Sequence, residues 1–187
     1  MQLFQKQEAR AAAGRYRSQG GRTFKTADRI LREEMSNVYS HERFDIFLSH
    51  ASSDADLILG VKVLLEEQGL KVYVDWITDA HLDRSHVTPE TADLLRRRMR
   101  QSKSLIFVAT SAASQSKWMP WELGYFDGFR PDHVAILPLA DNPQERFQGQ
   151  EYLALYPVAY PHRIGTYLSD ILVSDSRQAK YIKSFAA

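Results

Sequence analysis

The sequence predicts an α/β fold in which parallel strands form a central sheet and helices cover both of its faces. Two observations support this prediction: short apolar runs alternate with amphipathic segments from residue 44 onward, and capping residues or glycines mark where the amphipathic segments begin and end. Strands that alternate with helices of this length pair in parallel, because each crossover returns the chain to the same end of the sheet.

The first two strands are predicted at residues 44–49 and 70–74. The run FDIFLS is short and apolar, as expected for a buried parallel strand. Side-chain oxygens at residues 52–54 offer N-caps to a helix that follows. Gly69 ends that helix, since glycine takes the left-handed conformation without steric cost. The apolar positions of the helix repeat with helical spacing: Leu57, Ile58, Val61, Leu64 and Leu65.

The second half of the chain continues the alternation. Thr88, Pro89 and Glu90 indicate a helix start, because they combine a capping hydroxyl, a first-turn proline and an acid near the positive helix end. The arginines of this helix, at positions 96, 97, 98 and 100, are interpreted first as its solvated face and second as a binding patch. The elements expected after residue 101 are strands at 104–109, 134–139 and 157–160, and helices at 117–126 and 164–173.

Residues 1–42 are predicted to form a helical N-terminal extension, separate from a domain at 43–187. Their helical segments carry few apolar anchors, and Gly20 and Gly21 interrupt them. A solvated arm is the first interpretation of this extension, and an oligomerisation or partner-docking arm is the second.

Composition excludes several classes of protein. With 187 residues, of which 44% are hydrophobic, the chain has enough apolar side chains for a core. No run approaches the roughly 20 apolar residues of a membrane helix, and no secretory signal is evident, so a cytoplasmic protein without membrane association is expected. There are no cysteines, and the six histidines lack metal-ligand spacing, so no metal site is predicted.

Charge is unevenly distributed along the chain. The first 43 residues hold nine Lys or Arg against five Asp or Glu, which leaves the remainder mildly acidic although the whole chain has a formal charge of +1. An acidic main domain is a poor match to nucleic-acid binding, so no nucleic-acid partner is predicted.

A ligand cleft is expected at the carboxyl ends of the strands. In a five-stranded sheet of order 2-1-3-4-5, the strand order reverses between the first and third strands, and ligands bind at that switch point. The loop that begins at Ser49 and His50 and the hydroxyl-rich loop at 110–118 would line it. Glu122 lies one helical turn after Trp118 and would point toward it. No glycine-rich phosphate loop or nucleophile elbow is present, which excludes the standard dehydrogenases, nucleotide triphosphatases and serine hydrolases.

Three segments resemble the TIR domain family, in particular its stand-alone bacterial members. They read FDIFLSHASSD, GLKVYVDW and SKSLIFVATSAASQSKWMPWELGYFDG, and they lie in order between residue 44 and about residue 162. The resemblance implies a flavodoxin-like parallel sheet of five strands in the order 2-1-3-4-5 with helices on both faces. It also implies self-association through TIR–TIR contacts and, as in many bacterial members, cleavage of NAD by a catalytic Glu.

The enzymatic members carry a Ser, Trp and Glu pattern in which Glu follows Trp by four residues. That pattern falls on Ser116, Trp118 and Glu122, so Glu122 is the predicted catalytic residue. The segment at 76–87 corresponds to the mobile loop of the family and lacks the proline-containing signature of animal receptors. The predicted substrate-binding residues are Ser49, His50, Trp76, Asp83, Arg84, Ser116 and Trp118. Alternatively, His50 only caps its loop, and Asp83 and Arg84 only pair with each other.

The resemblance predicts a NAD glycohydrolase or ADP-ribosyl cyclase of bacterial antiphage defence, in which NAD is the substrate and no resident cofactor is needed. The cleavage would deplete NAD, or its product would signal to a downstream effector. Two alternatives stay open: a TIR–TIR interaction module that breaks no bond, and an enzyme like the nucleoside deoxyribosyltransferases, which share this sheet and use a Glu at a glycosidic carbon.

Overall fold

The computed structural model describes residues 2–19, 21–36, 38–75, 88–175 and 177–187. Its helices are α1 (Lys6–Ser18), α2 (Ala27–Met35), α3 (Ala55–Glu67), α4 (Pro89–Arg100), α5 (Met119–Phe129) and α6 (Ile182–Phe185). Its strands are β1 (Phe4–Gln5), β2 (Phe44–Ser49), β3 (Val72–Val74), β4 (Ser102–Ala109), β5 (Val134–Ala140), β6 (Val158–Ile164), β7 (Tyr167–Ser174) and β8 (Ala179–Tyr181). None of the helices in these ranges is long and apolar enough to cross a membrane.

The central part of the sheet confirms the predicted topology. The neighbours run β3-β2-β4-β5-β6, and all four of these pairings are parallel. Counted along the chain from β2, this is the order 2-1-3-4-5. The sheet then extends beyond the prediction, because β7 and β8 add antiparallel strands at one end and β1 pairs in parallel with the last residues of β5.

The predicted final helix at residues 164–173 is wrong, because this segment forms the turn and second strand of a hairpin. Gly165, with φ of +62°, lies in the turn between β6 and β7. Along β7, Ile171 and Val173 are buried while Leu172 between them is partly exposed, which is the period of two of a strand. Apolar residues at 167, 168, 171 and 172 have helical spacing locally, and pairing with β6 decides for the strand.

The sheet separates two apolar cores. On β2, Ile46 and Leu48 face one core, which is shared with α1, α2 and α3. Phe47, between them in sequence, faces the other core, which is shared with α4 and α5. This alternation holds along β4 and β5 as well, as expected for strands covered on both faces. Helices therefore cover both faces, as predicted from sequence.

The N-terminal segment is part of the first core, which corrects the solvated arm that the sequence predicted. Ala9, Ala12 and Ala13 of α1 are buried against α3. Gly60 of α3 makes this close approach possible, since a Cβ added there would lie 1.8 Å from the Ala9 carbonyl oxygen. The contact surface consists of small residues, so the apolar pattern of α1 was too weak to predict that this helix packs on α3. The boundary between residues 42 and 43 remains a prediction about domain organisation.

An ionic cluster centred on the buried Lys62 joins α1, α2 and α3. Lys62 on α3, whose side chain is 5% exposed, places its Nζ 2.9 Å from Glu34 Oε2 and 2.7 Å from Glu66 Oε2. The Tyr16 hydroxyl donates a hydrogen bond to Glu34 at 2.5 Å. Burial lowers the pKa of Lys62, but the negative charges of Glu66 and Glu34 outweigh it and raise that pKa above its usual 10.5. The cluster therefore holds Lys62 protonated and ties the N-terminal helices to α3.

Candidate active site

The candidate site lies where β2 and β4 end side by side. From β2 the chain proceeds toward β3 on one side of the sheet, whereas β4 and β5 continue on the other. The loops that follow β2 and β4 therefore separate and leave a crevice at the carboxyl ends of the strands, as predicted. A hydrogen bond of 2.6 Å from the Thr110 hydroxyl to Asp54 connects these two loops.

Ser49 ends β2 and faces the same side of the sheet as Phe47, because side chains two residues apart share a face. That side is covered by α5. The Ser49 hydroxyl is buried and donates a 2.5 Å hydrogen bond to Glu122 Oε2. The structure thus brings together two residues that are 73 positions apart and that sequence analysis had assigned to one site.

Glu122 lies in the first turn of α5. Pro120 occupies the start of this helix, where its missing N–H costs nothing, and the Ser116 hydroxyl accepts a hydrogen bond from the Met119 N–H at 3.2 Å. The Glu122 N–H donates to the Trp118 carbonyl at 2.8 Å. Its side chain is fully buried. An acid in the first turn also interacts favourably with the positive end of the helix dipole.

A cavity of about 370 Å³ opens next to this turn and supplies space for a ligand. Its walls come from the two predicted loops: Ala51, Ser52, Ser53, Ala112, Gln115, Ser116, Lys117 and Trp118. Of the predicted substrate-binding residues, Ser116 and Trp118 line this cavity directly. Ser49 and Glu122 are buried and are not among its lining residues.

His50 is also buried, with its Nδ1 2.8 Å from the Leu48 carbonyl oxygen. Its contact with the backbone matches the alternative of a residue that stabilises its loop, and its contact with ligand phosphate remains a prediction. Trp76, Asp83 and Arg84 lie outside the described residues. Asp75, which precedes them immediately after β3, is 1% exposed.

Sequence analysis missed the contact between Asp54 and Thr110. Asp54 was expected to cap α3 through its side chain, but its carboxylate accepts from Thr110 instead and makes no capping hydrogen bond. The contact could have been predicted from sequence because Asp54 and Thr110 lie in the two loops that meet at the switch point. Since the contact fixes the spacing of those loops, it positions the walls of the cavity.

Aromatic side chains continue from the cavity along α5. Trp118 meets Trp121 edge-to-face with ring centroids 5.5 Å apart, and Trp121 stacks on Tyr125 at 5.6 Å. The Arg96 guanidinium lies 5.4 Å from the Trp121 ring centre. Trp121 is half-buried. Across the described ranges, no group of three or more His, Cys, Asp or Glu is placed to hold a metal ion.

Comparison with known proteins identifies relatives of this chain. Residues 46–159 match the TIR domain family. A Bacillus cereus (strain MSX-D12) protein named as a probable 3' cyclic ADP-D-ribose synthase, ThsB', is 45% identical over 158 residues, which cover 84% of this chain and 81% of that protein. A Cytobacillus dafuensis protein with the provisional name cyclic ADP-D-ribose synthase TIR2 is 32% identical over 99 residues, or 52% of this chain and 26% of that protein.

Proposed function

This chain belongs to the TIR domain family, and from that premise we propose that it cleaves the nicotinamide–ribose bond of NAD and makes an ADP-ribose-type signal in bacterial antiphage defence. The relative that aligns with most of the chain is named for synthesis of a cyclic ADP-ribose. The structural observation that carries the proposal is the hydrogen bond from Ser49 to Glu122, which holds an acid at the switch point beside a cavity.

Cleavage of the nicotinamide–ribose bond requires a negative charge near the ribose more than it requires a proton donor. Nicotinamide in NAD is already cationic, so it leaves as a neutral molecule with the bonding electrons and needs no general acid. The ribose that remains has oxocarbenium character, and a carboxylate beside it stabilises that charge. One carboxylate about 4 Å from a full positive charge contributes roughly 4 kcal/mol at an effective dielectric near 20. That corresponds to about a thousandfold in rate.

We assign Glu122 as the catalytic residue and Ser49 as the residue that orients it. Because Glu122 is fully buried, side chains that cover it must move before a ribose can approach. Ser116 and Trp118 contact substrate from the cavity wall in this proposal. Attack on the ribose carbon by water, with loss of a proton, gives linear ADP-ribose, whereas attack by a group of the same molecule gives a cyclic product.

The wider assignments are also proposals. NAD is consumed as substrate, and no resident cofactor enters the chemistry. We place the activity in the cytoplasm, where NAD is available, and propose that copies of the chain associate through TIR–TIR contacts. A cyclic product would act on a separate effector protein. His50, Trp76, Asp83 and Arg84 are retained as proposed substrate contacts from the resemblance.

Product analysis by mass spectrometry tests the proposal. The wild-type protein, incubated with NAD with and without conditions that drive assembly, is expected to release nicotinamide together with linear or cyclic ADP-ribose. Glu122→Gln keeps the side-chain volume and should lower the rate about a thousandfold. The matched control is Glu151→Gln, a change at an exposed acid away from the cavity, and it should leave the rate unchanged.

Two outcomes would contradict the proposal. If neither the wild type nor Glu122→Gln releases nicotinamide in any assembled state, the interaction module is favoured. Cleavage of nucleosides with no turnover of NAD would favour the deoxyribosyltransferase alternative.

A further inference from the structure

A second cavity lies at the opposite end of the sheet from the candidate active site. It has a volume of about 430 Å³ and is formed by the C-terminal half of α4 and the segment that leads into β2. Because β2 begins at Phe44 and β4 at Ser102, this cavity lies at the amino ends of the strands. It is lined by Val38, Ser40, Arg43, Leu94, Arg97, Arg98, Arg100 and Gln101. A ligand here would not overlap the NAD cleft.

The charged side chains that line this second cavity are all arginines, at positions 43, 97, 98 and 100. Among the described residues, none of the four forms an ion pair with an acid. Some arginines elsewhere do form such pairs, as Arg17 does with Asp56 and Arg163 with Glu8. Several like charges in a concave surface concentrate the electrostatic potential and attract anions.

The wall of the second cavity is held in place by hydrogen bonds. The Arg98 guanidinium donates to the Val38 and Tyr39 carbonyl oxygens at 3.0 and 3.3 Å. The buried Gln101 amide donates to the Ser40 and Glu42 carbonyl oxygens at 2.7 and 3.0 Å. These contacts fix the backbone of residues 38–42 against the end of α4, so the cavity is a built feature of the fold.

The remaining arginines have exposed side chains, and the guanidinium of Arg100 also lies 5.9 Å from the Tyr125 ring centre. Arg97 and Arg100 lie on exposed positions of α4, and Arg43 donates to the backbone carbonyl of Glu42 at 3.4 Å. Guanidinium groups bind phosphate through two parallel hydrogen bonds, which a lysine does not reproduce. Val38 and Leu94 supply apolar surface in the same cavity. The combination suits a ligand with both phosphates and an apolar ring.

We propose that this arginine-lined cavity binds a phosphate-bearing nucleotide of about the size of a nucleoside diphosphate. The phosphates contact Arg43, Arg97 and Arg100, and the base or sugar packs on Val38 and Leu94. The volume lies within the range of about 300 to 1,000 Å³ of small-molecule sites. This site is separate from the proposed NAD cleft, so the protein would bind a nucleotide that it does not cleave there.

Isothermal titration calorimetry with ADP, inorganic pyrophosphate and adenosine tests this proposal. ADP is expected to bind saturably, pyrophosphate to bind by the same arginines, and adenosine to bind at least tenfold more weakly than ADP. Arg97→Ala combined with Arg100→Ala should weaken ADP and pyrophosphate at least tenfold. Arg10→Ala, at an exposed position of α1, is the matched control and should change neither affinity.

The double variant Arg97→Ala and Arg100→Ala also separates this proposal from the proposed function, because it should still cleave NAD at the wild-type rate while it binds pyrophosphate more weakly. Both altered arginines are exposed, and circular dichroism would verify that the double variant is folded. The proposal is overturned if ADP and pyrophosphate show no saturable binding, or if adenosine binds as tightly as ADP. Unchanged ADP binding by the double variant would overturn it too, as would binding of an acidic peptide or an oligonucleotide but not of ADP.

Discussion

The two faces of the sheet place acidic side chains in different settings. On the face covered by α1, α2 and α3, Glu34 and Glu66 share the ammonium group of Lys62. On the face covered by α4 and α5, Glu122 accepts a hydrogen bond from the Ser49 hydroxyl at the end of a strand. The first arrangement joins three helices, whereas the second places an acid beside a cavity at the switch point. Changes on the first face should therefore alter stability, and changes on the second should alter activity.

Replacing Lys62 with Met tests the first face and should have the largest effect on the free energy of unfolding. The change leaves Glu34 and Glu66 close together without their cation, which we expect to destabilise the fold by about 3 kcal/mol. Chemical denaturation measures the free energy of unfolding. Lys71→Met, which removes a more exposed partner of Glu42, should cost less than about 1 kcal/mol. Equal losses of unfolding free energy in the two variants would show that the burial of Lys62 does not add to its contribution.

The second change tests the close packing of α1 on α3. Gly60→Ala places a Cβ against the Ala9 backbone, and moving the helices apart should cost about 2 kcal/mol. Gly14→Ala is the control, because a Cβ there meets no atom within 4 Å and should stabilise α1 by about 0.5–1 kcal/mol. Thermal unfolding of both variants measures the difference. A stabilised Gly60→Ala protein would mean that α1 does not pack on α3 in this way.

A change on the opposite face should act mainly on catalysis. Ser49→Ala removes the hydroxyl that holds Glu122, and under the proposed function we expect roughly a tenfold slower release of nicotinamide, or about 1.4 kcal/mol. Ser169→Ala, at an exposed position of β7, should leave the rate unchanged. If Ser49→Ala cleaves NAD at the wild-type rate, Ser49 does not position the acid.

Alkaline pH should produce the smallest effect and should act on the first face. The pKa of Tyr16 is raised above 10.0, mainly by burial and by its hydrogen bond to Glu34, and the pKa of Lys62 is raised above 10.5. Both groups hold protons more tightly in the folded state, so their contribution is present below pH 10 and is lost as pH rises through the raised values. Unfolding measured between pH 9 and 11 should show this loss in the wild type and a smaller loss in Tyr16→Phe. If the free energy of unfolding falls equally with pH in both proteins, Tyr16 does not contribute to the loss.

Much of the candidate site could be predicted because local sequence and topology agree there. The run from Phe44 to Ser49 is apolar enough to indicate a buried strand, and the parallel order then places its end beside the loop after β4. Helical spacing put Trp118 and Glu122 on one face of α5. The hydrogen bond between Ser49 and Glu122 follows from these separate inferences.

The parts that sequence did not predict depend on contacts between distant segments. Ala9, Ala12 and Ala13 have little hydrophobicity of their own, and their burial depends on Gly60 allowing close approach. The segment of β7 fits a helical pattern locally and becomes a strand because β6 lies beside it. The arginines of α4 were interpreted first as a solvated face, because sequence does not show that residues 38–43 pack beside them.

Each end of the sheet consists of a strand of three residues, β3 at one end and β8 at the other. Such short strands offer few backbone groups to an incoming chain, so they are poor templates for β-strand addition. Under the proposed self-association, contacts between copies are therefore expected through side chains on helices and loops, where single substitutions can tune or abolish them. Side-chain contacts of that kind would be reversible, in contrast to the continuous hydrogen bonding of amyloid-like fibres.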